Sequence, residues 1–190
     1  NPEPLKENLG DLMQAVVDHQ ADLGFAVDPD VDRLAIVDES GKMFGEEYSL
    51  VAVADYVLSK MPGNSVSNLS SSRALSDITR KHGGNYQASA VGEVNVVAMM
   101  KQTKAVIGGE GNGGIIYPDL HYGRDSLVGV ALFLSHLAQL EIKVSDLKES
   151  YPNYFMNKNK VDLTPDRDVD HLMQLIAETY QKTERVTTID

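Results

Sequence analysis

Short apolar runs of two different periods alternate along this chain, and that alternation restricts its possible folds more than any single residue does. Leu5, Leu9, Leu12, Met13, Val16 and Val17 recur at helical spacing. Leu23-Gly24-Phe25-Ala26-Val27 and Leu34-Ala35-Ile36-Val37 then read as strands, closed by a turn at Glu39-Ser40-Gly41-Lys42. Leu50, Val51, Ala54, Val57 and Leu58 mark a second helix, stopped by Pro62-Gly63. The pattern predicts a strand at 66–69, a helix at 75–82 ended by Gly83-Gly84, a weaker strand at 86–89 and a helix carried by Val94, Val97, Ala98 and Met100. Strands at 105–107 and 115–117 follow. Asp125 or Ser126 caps a helix over 127–140 whose apolar residues go all round, which implies burial. The expected fold is α/β, a layered mixed sheet flanked by helices.

After Tyr151 the composition changes. Residues 151–154 read as a linker, 161–163 as a strand before Pro165, and 169–180 as a helix with Leu172, Leu175, Ile176 and Thr179 on one face. A further strand is expected at 186–189.

Between the first two strands lies Asp28-Pro29-Asp30-Val31-Asp32-Arg33. Three carboxylates on alternate residues repel one another unless a cation or solvent relieves them. The donors are hard oxygens, with no thiolate or imidazole nearby, which favours Mg²⁺ over Zn²⁺. Asp28, Asp30, Asp32 and Glu39 also match EF-hand positions one, three, five and twelve. Arg33, however, occupies the sixth, where that loop needs Gly, and the flanks read as strands. An aspartyl-nucleophile loop of the haloacid-dehalogenase type is another reading, although Asp32 stands where that loop has Thr or Val. The plainest is a solvated acidic turn.

A second loop, Gly108-Gly109-Glu110-Gly111-Asn112-Gly113-Gly114, joins two expected strands. Five glycines let the backbone approach a ligand, while one carboxylate and one amide suit sugar hydroxyls. It is either a binding loop or a glycine-rich hairpin, and it is not a dinucleotide fingerprint. Arg73, after Ser70-Ser71-Ser72, either faces a phosphate or is an exposed helix residue. Arg124 either meets an anion near a helix start or is solvated. His82 reads as helix-terminal, His19, His136 and His171 as helix-surface residues, and His121 lies near the glycine-rich loop.

Composition removes several function classes. Seventeen Lys and Arg against 28 Asp and Glu give a formal net charge of −11, which argues against nucleic-acid or anionic-membrane binding. The absence of Cys removes disulfides, thiol catalysis and Cys-ligated zinc, and is compatible with the cytoplasm. No stretch reaches the apolar length that spans a bilayer.

The acidic loop resembles the metal-binding loop of the α-D-phosphohexomutases, usually Asp-Gly-Asp-Gly-Asp-Arg, with Pro29 and Val31 replacing both glycines. Asn1-Pro2-Glu3-Pro4 and Glu7-Asn8-Leu9 are similar to a segment of the same family. The second loop resembles the family's Gly-Glu-x-Ser-Gly-His sugar loop. Gly109, Glu110 and Gly113 match, Asn112 replaces Ser and Gly114 replaces His, a form similar to that of phosphoglucosamine mutases. Val91-Gly92-Glu93 matches a Val-Gly turn of the cleft.

The resemblance implies the end of a metal-binding domain over 1–45, a sugar-binding domain over 46–152 and the start of a phosphate-binding domain over 153–190. It further implies an isomerase that moves phosphate between the 1- and 6-positions of a hexose phosphate, through a phosphoserine and a sugar bisphosphate. Asp28, Asp30 and Asp32 would hold Mg²⁺, and Arg33 would be catalytic, pairing with phosphate oxygens. Gly109, Glu110, Asn112, Gly113, Arg73 and Arg124 would bind substrate. Phosphoglucosamine mutase is the expected activity, with phosphoglucomutase or phosphomannomutase, a non-catalytic Ca²⁺-binding domain or a haloacid-dehalogenase-like phosphatase as alternatives. No Thr-x-Ser-His-Asn-Pro-like segment carrying the catalytic Ser is present. The expectation is therefore a piece of a longer cytoplasmic polypeptide, inactive by itself and partnered by the rest of that polypeptide.

Overall fold

The structure is a computed structural model that describes residues 3–156, 162 and 168–180. The expected strands at 161–163 and 186–189 fall outside the described residues, Asp162 excepted, as do Asn1, Pro2, residues 157–160 and Pro165. The chain forms two units, Asn1–Phe155 and Met156–Asp190.

In the first unit a 3₁₀ turn, Lys6–Asn8, precedes helix α1 (Gly10–Asp18). The helical spacing that begins at Leu5 thus becomes α-helix only from Gly10. Leu5 is extended, and the Asn8 side chain donates to the Glu3 carbonyl (2.8 Å), an arrangement that competes with helix formation. Strands β1 (Leu23–Val27) and β2 (Leu34–Asp38) pair antiparallel, with Leu23 opposite Asp38 and Val27 opposite Leu34. The turn after β2 is built on Asp38, whose Oδ1 accepts from the backbone of Ser40 and Lys42 (both 2.9 Å). The acidic loop is therefore flanked by strands, which removes the EF-hand reading.

Helix α2 (Glu46–Lys60), strand β3 (Asn64–Asn68), helix α3 (Ala74–Lys81), strand β4 (Tyr86–Ser89), helix α4 (Glu93–Thr103) and strands β5 (Ala105–Gly109) and β6 (Ile115–Ile116) follow. The sheet order is β4-β3-β5-β6, with β3 parallel to β4 and β5, and β6 antiparallel. The crossover from β3 to β4 runs one way along the sheet, and that from β4 to β5 runs back past β3. Both being right-handed, α3 and α4 lie on opposite faces. The side chains agree. Ser65 of β3 bonds Thr79 of α3, whereas Val66, pointing the other way, packs with Val96 and Met100 of α4. Strand order thus reverses between β3 and β5, and in open α/β sheets the crevice beyond the strand ends at such a point is where ligands bind.

Helix α2 is the centre of the larger core and is buried from Tyr48 through Asp55. It packs on α3, β5, β2 and helix α5 (Ser126–Leu140). Phe133 of α5 meets Phe25 and Phe44 edge-on, at centroid distances of 6.3 and 5.2 Å. Ser126 begins α5, and Asp125 caps it by accepting from Leu127 N and Val128 N. Burial all round α5 is not what the fold shows. Leu127 is 66 % exposed, Leu134 and Leu140 are also exposed, and the buried face carries Ser126, Gly129, Phe133 and His136. A short helix, α6 (Val144–Glu149), was without periodic signal.

His136 is also not on the surface, being 4 % exposed. It belongs to a polar knot around Asp55 of α2. His82 Nε2 lies 2.6 Å from Asp55 Oδ1, Lys81 Nζ 3.2 Å from it, and Tyr151 donates to Oδ2 (3.3 Å), with His136 Nε2 3.2 Å from the Tyr151 hydroxyl. Burial acts to raise the Asp55 pKa, but the imidazoles of His136 and His82 and the Lys81 ammonium outweigh it. Together they hold the carboxyl well below the usual range. The knot ties α2, α3, α5 and the end of α6 together.

Residues 151–154, expected as a linker, are anchored instead. Tyr151 is buried, the Tyr48 hydroxyl donates to Pro152 O and accepts from Tyr154 N, and the Tyr154 hydroxyl donates to Asp77. The second unit contains α7 (Val169–Tyr180), in the expected place and without a buried residue. Among the described residues no helix is long and apolar enough to cross a membrane.

Candidate active site

The loops that leave β1, β3, β4 and β5 carry most of the polar side chains expected to act, and several of these are in contact. In the acidic loop Asp28 is buried, and its Oδ1 accepts from the backbone N–H of Asp32 and Arg33 (both 3.0 Å). Val31 N donates to Asp28 O, while Val31 O accepts from Ser126 N at the start of α5. These bonds hold Val31 at φ 59°, a left-handed conformation unfavourable for a β-branched residue. Val31 is one of the two positions at which the resembling loop carries Gly. The backbone conformation that suits glycine is retained and imposed on valine. Val31→Gly is therefore expected to stabilise the chain by about 0.5–1 kcal/mol, the relief of strain being partly offset by glycine's unfolded-state entropy. Thermal unfolding checks this, and a lower melting temperature in the variant would contradict it.

Asp28, Asp30 and Asp32 each place a carboxylate oxygen within 4.8 Å of the others. Burial, the hydrogen bond with Asp28 and the charges of Asp28 and Asp30 push the Asp32 carboxyl up to about 6, against the opposing effect of Arg124. Asp28 moves the other way. Burial acts to raise its pKa, but the N–H donors of Arg33 and Asp32 prevail. Asp32 Oδ1 is buried without a hydrogen-bond partner. An all-oxygen donor set with one orphaned, buried oxygen fits a hard divalent cation. Arg33 lines an open pocket of about 390 Å³ with Asp28, Pro29, Asp30 and Glu3, and its Nη1 bonds Glu3 Oε1 (2.7 Å).

The glycine-rich loop caps the β5–β6 hairpin, where Glu110 N donates to Gly114 O. It reaches the strand residue that follows the acidic loop, because Gly113 O accepts from Leu34 N at the start of β2 (3.1 Å). Gly113 has φ 90°, and a Cβ there would come within 2.5 Å of Leu34 O, so the close approach requires glycine. Glu110 is 5 % exposed. Its Oε1 accepts from Asn68 Nδ2 and its Oε2 from Arg124 Nη1, both at 2.8 Å. Asn112 Oδ1 accepts from Gly114 N (3.2 Å). Asn68 Oδ1 also receives Ser70 N and Ser71 Oγ, which joins the loop after β3 to the same cluster.

Arg124 stands at the centre and is not solvated. Its Nη1 pairs with Glu110, its Nη2 with Asp32 Oδ2, and its Nε with Glu93 Oε2 (3.1 Å). Arg73 lies apart, exposed at the start of α3 with no ion pair among the described residues. His121 is exposed and bonds the capping residue Asp125. Asn68 was not singled out by sequence, and Glu93 entered only as the last residue of the Val91-Gly92-Glu93 turn, with no role assigned to it. For Glu93 the available signal was a carboxylate directly after Gly92, at the opening of α4.

Sequence profiles described as "Phosphoglucomutase/phosphomannomutase, alpha/beta/alpha domain II" and "domain III" match residues 1–41 and 45–154. A phosphoglucomutase/phosphomannomutase of Thermococcus kodakarensis is 34 % identical over 96 % of the chain and 40 % of that protein. A probable phosphoglucosamine mutase of Methanopyrus kandleri is 34 % identical over the full chain and 42 % of that protein. A crystal structure of a phosphoglucomutase/phosphomannomutase family protein from Burkholderia thailandensis superposes with a TM-score of 0.73 at 32 % identity, covering 80 % of this chain and 34 % of the other. The chain thus spans about two fifths of the length of the curated relatives it matches.

Proposed function

The chain belongs to the phosphoglucomutase/phosphomannomutase family of α-D-phosphohexomutases, and on that footing we propose that it supplies the metal loop and the sugar loop of a hexose-phosphate mutase acting on glucosamine phosphate. The observation that carries the reading is the junction of the acidic and glycine-rich loops through Arg124 beyond the ends of β3 and β5. The Gly-Glu-x-Asn-Gly-Gly form of residues 109–114 and the naming of the Methanopyrus relative support the amino sugar.

In this reading Asp28, Asp30 and Asp32 hold Mg²⁺, with Asp32 Oδ1, which has no hydrogen-bond partner and lies 3.9 Å from Arg33 Nε, as one donor. The bound ion would neutralise charge on the transferring phosphoryl group. Asp28 Oδ1 is fixed by two backbone donors, so the loop keeps its shape before anything binds. Arg33 faces the open pocket and pairs with phosphate oxygens through its planar fork. Glu110 and Asn112 orient sugar hydroxyls, and the backbone at Gly109 and Gly113 lets the sugar approach. Arg73, on the neighbouring loop, meets a distal phosphate. The nucleophilic Ser and the terminal phosphate site belong to parts of the complete protein outside residues 1–190, and domain boundaries near 45 and 152 are part of the same proposal. So is a cytoplasmic setting.

The test is a coupled assay with glucosamine 6-phosphate and a sugar bisphosphate activator. The complete polypeptide carrying this chain is expected to turn over, to stop when EDTA removes divalent cations and to recover with Mg²⁺, while residues 1–190 alone remain at background. Turnover that ignores EDTA would remove the metal assignment. Turnover by residues 1–190 alone would mean that the catalytic centre has been misplaced.

A further inference from the structure

Gly114 stands where the resembling sugar loop has His, and the structure gives a physical reason for the missing side chain. The φ of Gly114 lies outside the left-handed region, so the backbone itself admits a side chain. The obstacle is Arg124. A Cβ on Gly114 would come within 2.5 Å of Arg124 Cδ and 3.2 Å of its Cγ. The room beside residue 114 is filled from residue 124, ten positions later and at the start of another helix.

The side chain placed there meets three carboxylates from two loops and the start of a helix. Asp32 comes from the acidic loop, Glu110 from the glycine-rich loop and Glu93 from the start of α4. Glu93 also accepts from Arg124 N (3.4 Å), so it grips both the backbone and the side chain of the arginine. A guanidinium can serve all three because its nitrogens diverge in one rigid plane, which a lysine cannot reproduce. We propose that Arg124, given room by Gly114 and aimed by Glu93, is a positioning residue that clasps the metal loop to the sugar loop. One side chain sets both Asp32 and Glu110. The clasp leaves Asp32 Oδ1 for a cation and takes the other oxygen of the same carboxylate. Occupation of the metal loop is then felt at the sugar loop, and the reverse. The roles of the two loops rest on the function proposed above, whereas the clasp itself does not.

The experiment follows the carboxylate ¹³C resonances of Asp32, Glu93 and Glu110 in the labelled 190-residue chain while Mg²⁺ is added. In the unsubstituted chain Glu110 is expected to shift with the same midpoint as Asp32. In Arg124→Lys, which keeps the charge and loses the fork, Asp32 still responds and Glu110 stops responding. A silent Glu110 beside a responding Asp32, or an undiminished response in Arg124→Lys, overturns the proposal. If Asp32 itself ignores Mg²⁺, the metal assignment fails, and the clasp is judged by a metal-free measurement. Gly114→Ala is expected to lower the melting temperature and move both the Asp32 and Glu110 resonances. The same substitution should cost almost nothing in an Arg124→Ala background, because the obstructing atoms are gone. Equal losses in the two backgrounds overturn the steric link between residues 114 and 124.

Discussion

Replacing Asp55 with alanine is expected to destabilise the chain by about 3 kcal/mol, the cost of removing one partner from a buried charged cluster. For a chain of this size that corresponds to a fall of about 6–12 °C in melting temperature. Asp55 lies between His82, Lys81, His136 and Tyr151, and among the described residues no other acidic side chain pairs with these four. The variant leaves the buried His136 and Tyr151 facing a gap, and it unties α3 and α5 from α2. The sign of the pH effect follows from the depressed carboxyl pKa. A group held below its unfolded value contributes stability above that value, about 3.9, and loses it as the pH falls further. The difference between the unsubstituted chain and Asp55→Ala should therefore be full near neutrality and narrow below about pH 4. Thermal unfolding of both proteins across that range decides the matter. A gap that stays constant down to pH 2 would remove the electrostatic account.

The second large effect concerns chemistry. On the function proposed above, Glu110→Ala in the complete polypeptide is expected to lower kcat/KM for glucosamine phosphate by about 10²- to 10³-fold, equivalent to ~3–4 kcal/mol. The carboxylate is almost wholly buried and is the partner of Asn68 and Arg124, so truncation leaves both donors unmatched and frees the glycine-rich loop. Circular dichroism and the melting temperature separate this from general unfolding, and Glu110→Gln retains the volume without the charge. Turnover equal to that of the parent enzyme in the folded alanine variant would sink the assignment.

Local patterns carried most of the architecture. Elements such as Leu50 to Leu58 and Leu75 to His82 announce themselves by period and by their stops; the first lies within α2, and the second runs through α3 to its C-cap, His82. What stayed hidden depends on partners distant in the chain. His136 has the spacing of a surface residue on α5, and only the fold reveals Asp55 and Tyr151 beside it. Arg124 draws its partners from positions 32, 93 and 110, two loops and a helix start that no periodicity connects. Apolar residues all round α5 suggested complete burial. The side that packs inward instead includes Gly129, where a Cβ would meet Ile115 Cδ1 at 2.6 Å, so close approach rather than hydrophobicity selects that face. Helix α6 is too short for a period to register. The acidic loop was legible as a donor set, but its shape was not. Pro29 and Val31 stand where the resembling loop has glycines, yet hydrogen bonds at Asp28, Val31 and Ser126 impose the left-handed turn on Val31.

The packing of β1 and β2 against α5 also sets an order of events during synthesis. The hairpin ends at Asp38, but Phe25 meets Phe133, Val31 O receives Ser126 N, and Glu39 accepts from Ser145. About 95 residues must leave the ribosome between the end of the hairpin and the phenylalanine that covers it, a wait of roughly 5–20 s at ~5–20 residues per second. Through that interval α2 can already lie on β2, but Phe25 lacks the Phe133 ring that finally meets it. The β1–β2 hairpin is made early in this unit and its enclosure is completed only when α5 arrives, so a nascent chain stalled before α5 presents an incompletely covered strand pair to whatever chaperone is near.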